Sequence, residues 1–249
     1  MIQLLPLLID CAEVAIICPT YAEHAKCWSD HGHKIIEVSD LDKIPSTTDI
    51  AVVVSPNNPT GKEYDKTDLL RLAKNLKARN GFLVLDEAFG DVSDQTTPTT
   101  GLRLEGIVAL KSFGKFFGLA GLRLGFAIGD TEIITKLHAA LGPWAVSGIP
   151  MEVAIKAFCD TQWISSTRKT LANNRARLEQ LLIQSGFNIA GGTSLFTYAQ
   201  HPQAEQIFNL LCRAHILTRP FEHSPEKLRF GHPATEAEWD RLQNALKDA

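Results

Sequence analysis

The chain has 249 residues, 45% of them hydrophobic, and a formal net charge of -3. That is enough apolar material for one large domain or two unequal ones. The scattered, slightly acidic charge argues against nucleic acid or an anionic membrane surface as the main partner, and no apolar run is long enough to span a bilayer.

The first ten residues are apolar but lack a basic n-region and a small-residue cleavage site, so they do not read as a signal peptide. Five cysteines, an odd number with no CxxC spacing, are expected to be reduced thiols of a cytoplasmic protein. Cys27 and His31-x-His33 lack a fixed tetrahedral spacing, so a loop beside a helix end is expected there and no metal site.

In chain order, the apolar run 14–18 reads as a strand that ends in Pro19-Thr20-Tyr21. Residues 22–30 read as a helix that Gly32 can stop, and 34–38 as a second strand. The run 50–54 is apolar throughout, as for a strand buried on both faces. It runs into Ser55-Pro56-Asn57-Asn58-Pro59-Thr60-Gly61, whose two prolines, two asparagines and glycine make a stiff turn. Asp65 or Thr67 then caps a helix carrying Leu69, Leu70, Leu72, Ala73 and Leu76, and Asn80-Gly81 ends it. A buried strand over 82–85 stops at Asp86-Glu87-Ala88-Phe89, and a loop over 91–101 follows. The apolar run 107–110 leads into a glycine-rich basic stretch, from Lys111-Ser112-Phe113-Gly114-Lys115 to Arg123-Leu124-Gly125.

A strand over 125–128 and a helix over 131–141 complete this part. The stretch 142–150, rich in glycine and proline, reads as a junction, which predicts domains over 1–150 and 151–249. Interrupted helical signal covers 151–184. Short β signals at 195–198, 216–218 and 228–230 surround a helix over 203–214, and Thr235-Glu236-Ala237-Glu238 opens a last helix with a capping box. Strands alternating with helices predict an α/β fold with a mainly parallel sheet. The looser second part predicts a small α+β domain.

Three successive strands carry Asn58, Asp86, and Ser112 with Lys115 at their carboxyl ends. In open α/β sheets that edge is where ligands bind. Ser112, Lys115 and Arg123 supply donors suited to an anion. A desolvated lysine amine near another cation can attack an aldehyde, and Asp86 across the pocket suits a protonated ring nitrogen. Pyridoxal 5′-phosphate needs such a set: a Schiff-base lysine, a carboxylate for its pyridinium nitrogen, and an anion site. Taken singly, the basic loop reads equally well as surface, and Asp86 as a cap or turn residue.

The three segments Ser55 to Gly61, Leu85-Asp86-Glu87-Ala88-Phe89, and Ser112-Phe113-Gly114-Lys115 with Arg123 together resemble the fold-type-I pyridoxal-phosphate enzymes. These are the aspartate-aminotransferase-like family, here in its histidinol-phosphate aminotransferase branch. Pro19-Thr20-Tyr21-Ala22-Glu23-His24, the run from Lys115 through Gly118-Leu119-Ala120-Gly121-Leu122 to Arg123, and Leu141-Gly142-Pro143-Trp144-Ala145-Val146-Ser147-Gly148 are similar to the threonine-phosphate decarboxylases of cobalamin biosynthesis.

The resemblance implies that Lys115 carries the cofactor as a Schiff base and that Asp86 pairs with the pyridinium nitrogen. By the same token Asn58 donates to the ring 3′-oxygen, Tyr21 stacks on the ring, and Ser112 and Arg123 hold the phosphate. Arg229 would take the substrate carboxylate, and Arg219 its phosphate side or, equally, solvent. A homodimer with its sites at the interface is implied, as is decarboxylation of L-threonine O-3-phosphate to (R)-1-amino-2-propanol O-2-phosphate. The alternatives are an aminotransferase acting on histidinol phosphate or another amino acid, and a non-catalytic remnant of the fold.

Two departures stand out. Phe89 occupies a position where many aminotransferases of this branch have tyrosine, so a hydrogen bond to the 3′-oxygen is absent. The family also carries an N-terminal arm and a glycine/serine-rich turn before the helix in which Met1 begins. A chain truncated there would hold its cofactor weakly and expose Leu4, Leu5, Leu7 and Leu8.

Overall fold

A computed structural model describes residues 1–93 and 104–247, so most of the expected loop over 91–101 lies outside the described residues. The chain divides into two units. One comprises Met1–Asn58 and Lys62–Asp160, the other Pro59–Gly61 and Thr161–Ala249. No helix among the described residues is long and apolar enough to cross a membrane.

The first unit is a sheet with β-strands β1 (Glu13–Ile17), β2 (Lys34–Val38), β3 (Ile50–Val54), β4 (Phe82–Asp86), β5 (Ile107–Ser112) and β6 (Gly125–Gly129). Their spatial order is β2-β1-β3-β4-β5-β6. All neighbours run parallel except β5 and β6, which pair antiparallel. Every residue of β3 and β4 is buried. Alternate side chains feed two cores, because strand side chains point to opposite faces. Ile50, Val52 and Val84 join Leu5 and Trp28 on one side. Ala51, Val53, Leu83 and Leu85 join Leu69, Ala73 and Leu76 on the other. Each fully buried aliphatic side chain is worth ~1.5–3 kcal/mol relative to exposure.

Leu69, Ala73 and Leu76 belong to α2 (Lys66–Lys77). Asp65 caps it by accepting from the Thr67 N–H at 2.7 Å, and Lys74 and Lys77 complement the dipole at its end. The chain leaves through Asn80 in the left-handed region (φ 62°). Gly81 follows, where a Cβ would fall 1.9 Å from the Asp49 carbonyl oxygen.

α1 (Glu23–Asp30), α3 (Thr131–Leu141) and α4 (Gly148–Cys159) complete the unit. The division falls after Asp160, ten residues beyond the boundary read from the sequence. α4 stays with the first unit because Phe158 packs its ring against Phe113, Phe117 and Phe126.

The N-terminal leucines behave differently from expectation. Residues Leu5–Leu8 form a short 3-10 turn in which Leu5 is 1% exposed, while Leu4 and Leu8 pack partly against the core. Only Leu7, at 59%, faces solvent among these four. His33 ties the turn down. Its Nδ1 accepts from the Ala12 N–H at 3.2 Å, which leaves Nε2–H to donate to the Pro6 carbonyl at 3.0 Å.

The second unit holds α5 (Thr161–Gln184), β7 (Asn188–Thr193), β8 (Phe196–Gln200), α6 (Ala204–Arg213), β9 (Arg219–Pro220), β10 (Lys227–Gly231) and α7 (Glu236–Lys247). Its sheet is antiparallel, in the order β7-β8-β10-β9. Leu178 and Leu182 of α5, Ile207 and Leu211 of α6, and Trp239, Leu242 and Leu246 of α7 pack with Leu228 and Phe230 of β10.

Two strands differ from the sequence reading. The signal at 216–218 produces no strand. Leu217 is 85% exposed, and pairing begins at Arg219. β7 was not foreseen because Asn188-Ile189-Ala190-Gly191-Gly192-Thr193 looks like a turn. Its glycines answer to crowding: a Cβ on Gly191 would lie 2.0 Å from the Thr60 carbonyl oxygen, and one on Gly192 2.4 Å from that of Phe196. The segment Pro59–Gly61 crosses here, and the Gly192 N–H donates to the Thr60 carbonyl at 2.9 Å.

Candidate active site

The carboxyl edge of β3, β4 and β5 opens into a cleft of about 440 Å³, lined by Tyr21, Asn58, Asp86, Ser112, Lys115 and Arg123. Six residues drawn from five separate stretches of sequence thus meet at one place in the first unit. The volume lies within the ~300–1,000 Å³ of ordinary small-molecule sites.

Asp86 ends β4 and is 5% exposed. Its Oδ1 accepts from the Ala88 N–H at 2.9 Å, and its Oδ2 lies 2.8 Å from His24 Nε2. A carboxylate this deep is stable only with such partners. His24 is itself 1% exposed and meets the Tyr21 ring edge-on at 6.2 Å. His24 lies within the Pro19–His24 motif, which by itself assigns it no role. The available signal was its spacing: three residues after Tyr21, one helical turn away at the start of α1, it shares a face with the aromatic.

Asn57 is the second contributor the sequence reading passed over. It is 7% exposed; its Oδ1 accepts from Thr20 Oγ1 at 2.6 Å and its Nδ2 donates to the Pro19 carbonyl at 2.9 Å. It therefore fastens the turn carrying Asn58 to the turn carrying Tyr21. The Cys18-Pro19 and Ser55-Pro56 peptides in these turns are both cis. The Ser55 N–H donates to the Asp86 carbonyl at 2.9 Å, which joins the same turn to the end of β4. Burial pushes the neighbouring Cys18 thiol up to about 11, so it stays protonated at neutral pH.

Ser112 closes β5 opposite Gly125 of β6. Phe113, 1% exposed and stacked on Phe117 at 4.7 Å, anchors the loop that presents Lys115. Arg123 sits in the left-handed region at φ 53° and donates from Nη1 to the Ala120 carbonyl at 3.2 Å. A non-glycine residue there is uncommon and marks a constrained position.

The two lysines of the loop differ sharply. Lys111 Nζ lies 3.1 Å from Asp91 Oδ1 and 3.6 Å from Glu87 Oε2. Lys115 makes no ion pair among the described residues; its Nζ lies 5.5 Å from the centre of the Phe89 ring. Of the two, Lys115 is the amine free to react.

Arg219 and Arg229 belong to the second unit, where they stand opposite one another on β9 and β10. Burial, then the charge of Arg219, pulls the Arg229 guanidinium below its ordinary pKa. Its guanidinium lies 5.0 Å from the centre of the Phe196 ring. Like charges directly across a strand pair are unfavourable, so the pair suits an anionic ligand.

A doubly covered, mainly parallel sheet with a ligand-sized cleft at its carboxyl edge is the arrangement of an α/β enzyme. The family model for aminotransferase class I and II matches residues 1–246, and the chain belongs to that family. At finer grain, it is 41% identical to a threonine-phosphate decarboxylase of Pseudomonas aeruginosa, over 98% of this chain and 74% of that protein. A histidinol-phosphate aminotransferase of Sinorhizobium meliloti, solved with pyridoxal-5′-phosphate, superposes with a TM-score of 0.85 at 22% identity, covering 99% of this chain and 73% of that one. An L-threonine-O-3-phosphate decarboxylase of Porphyromonas gingivalis superposes at 0.82 and 19% identity, covering 99% of this chain and 79% of that one.

Proposed function

We propose that the chain is a pyridoxal-phosphate-dependent decarboxylase acting on L-threonine O-3-phosphate to give (R)-1-amino-2-propanol O-2-phosphate, a step of cobalamin biosynthesis. The observation that carries the chemistry is Lys115, which makes no ion pair among the described residues, in one cleft with the hydrogen-bonded Asp86. The likeness to the Pseudomonas decarboxylase supports the choice of reaction.

The donor set fits pyridoxal 5′-phosphate: one reactive amine, one buried carboxylate, and Ser112 and Arg123 as anion donors. When bound, that group supplies an electron sink for the charge left at Cα as a bond to it breaks. Lys115 would hold it through its amine. Asp86, oriented by His24 and the Ala88 N–H, would keep the proton on its ring nitrogen. Asn58 would donate to the ring oxygen, and Tyr21 would cover the ring. Arg229, with Arg219, receives the anionic groups of the substrate. How those groups are held decides which Cα bond breaks, so these two residues set the reaction choice.

The protein is proposed to act in the cytoplasm as a homodimer. Trp144 is 93% exposed, and along α4 Ile149 (74%), Met151 (49%) and Ile155 (59%) face outward. A helix so apolar is normally covered. The family match, with the likeness to histidinol-phosphate aminotransferases, also supports a second reading, amino transfer from histidinol phosphate. Incubating the protein with pyridoxal phosphate and either threonine phosphate or histidinol phosphate, each with 2-oxoglutarate as amino acceptor, and measuring carbon dioxide and keto products together, separates the two. Carbon dioxide without keto acid supports the decarboxylase. Fast amino transfer from histidinol phosphate without carbon dioxide moves the assignment to the aminotransferase.

A further inference from the structure

Lys111 also lines the cleft, at the head of a charged cluster with no role in the chemistry above. Lys111 is the next-to-last residue of β5. Its amine meets Asp91 at 3.1 Å and Glu87 at 3.6 Å, with side-chain exposures of 18% for Lys111, 25% for Asp91 and 0% for Glu87. The main chains already join at this level, since the Glu87 N–H donates to the Leu110 carbonyl at 2.8 Å. Each member of the Lys111–Glu87 pair is the chain neighbour of a cleft residue. Asp86 precedes Glu87, and Ser112 follows Lys111.

We propose that Lys111 is a positioning residue: with Glu87 and Asp91 it clasps the carboxyl ends of β4 and β5 and so fixes Asp86 and Ser112 in the cleft. A carboxylate with no exposed surface is costly without an opposite charge nearby. Taking the ammonium away removes an opposite charge from beside the Glu87 carboxylate, which favours its gaining a proton or shifting. A shift of Glu87 is transmitted to Asp86 through one peptide unit, and the 2.8 Å contact with His24 registers it. Removing both members of the Lys111–Glu87 pair is milder than removing one, because no fully buried charge is then left and Asp91, a quarter exposed, keeps access to water.

The test uses the full chain without cofactor and four variants: Lys111→Met, Lys111→Arg, Glu87→Gln and the double variant Lys111→Met/Glu87→Gln. Lys111→Met is expected to lower the melting temperature by roughly 5–10 °C, the effect of breaking a largely buried pair in a chain of this size. The double variant loses less than the sum of its parts, and Lys111→Arg stays near the parent. The ring nitrogen resonances of His24 move in Lys111→Met and return in Lys111→Arg. They stay put in Leu211→Ala, an equally destabilising change in the second unit's core. Should Lys111→Met fail to fold, Glu87→Gln carries the same His24 readout.

The effect on the cofactor rests on the proposed function: pyridoxal phosphate should bind about ten-fold more weakly to Lys111→Met. Additive melting losses, or an unmoved His24 signal in Lys111→Met, overturn the clasp. If the parent chain itself binds no pyridoxal phosphate, the functional reading falls while the melting and His24 data still decide this one.

Discussion

The two units build their sheets by different means. In the first, strands such as Ile50–Val54 are uninterrupted apolar runs buried on both faces. Their polar cleft residues begin where the apolar run stops. In the second, strands are short, antiparallel and shaped by crowding, as at Gly191 and Gly192, where backbone crosses backbone. The contrast teaches that a parallel sheet declares both its core and its reactive edge in one dimension. A sheet set by close approach of distant segments does not. The cleft lies on the sheet of the first kind, and the arginine pair on the sheet of the second.

The sharpest way to break this comparison is at the cleft itself. Lys115→Ala is expected to abolish the visible absorbance of bound pyridoxal phosphate and all turnover. Lys111→Ala should retain that absorbance at saturating cofactor, because its amine is held by carboxylates rather than free. An absorbance that survived loss of Lys115 would shift the reactive edge by one loop.

The next effect concerns His24. Its contact with Asp86 is a hydrogen bond to a charged group, worth about 1.5–3 kcal/mol, or roughly 10- to 150-fold. His24→Phe should lower kcat for the decarboxylation by about that factor while KM for threonine phosphate changes little. An equal rise in KM with kcat intact would make His24 a packing residue only.

Much of the first unit was legible for a plain reason: apolar runs of four or five residues bounded by turn residues, such as Ile50–Val54 and Phe82–Leu85, suit a buried strand, and the residues that follow each run lie at the edge. Asp86 falls out of that rule directly, and Asn58 and Lys115 lie in the turns that follow the runs of β3 and β5. His24 and Asn57 do not, because their roles depend on partners 62 and 37 residues away in the chain. The exposure expected for Leu5 failed for a similar reason. The sequence gives no hint that His33 holds the turn of Leu5–Leu8 against the core. In the second unit β7 escaped notice because its glycines serve the crossing segment at Thr60, which local composition cannot reveal.

A third change sharpens that point. Gly192→Ala places a Cβ 2.4 Å from the Phe196 carbonyl at φ 135°. It should destabilise the second unit by about 1–3 kcal/mol, measured as a lower denaturant midpoint. An unchanged midpoint would mean β7 tolerates a side chain and its glycines are incidental.

The smallest expected effect is pH-dependent and belongs to the first unit. Burial alone would raise the Asp130 carboxyl. Hydrogen bonds from the Gly106 N–H, Lys77 and the Glu132 N–H outweigh it and leave the pKa below the ordinary aspartate value. A carboxyl depressed in the folded state adds stability above its unfolded pKa of about 3.9, and that stability is lost as pH falls through the folded value. Asp130→Asn should therefore cost about 1–2 kcal/mol at pH 7, and the gap to the parent should close on acidification below about pH 4. A gap independent of pH would assign the loss to the cap geometry of α3 instead of to charge.

The central claim is that the free amine of the cleft carries the cofactor. The direct measurement is borohydride reduction of the protein loaded with pyridoxal phosphate, followed by proteolysis and mass spectrometry of the labelled peptide. The account expects a single phosphopyridoxyl adduct on Lys115. An adduct on Lys111 or on a lysine outside the cleft, or no adduct at saturating cofactor, would contradict it.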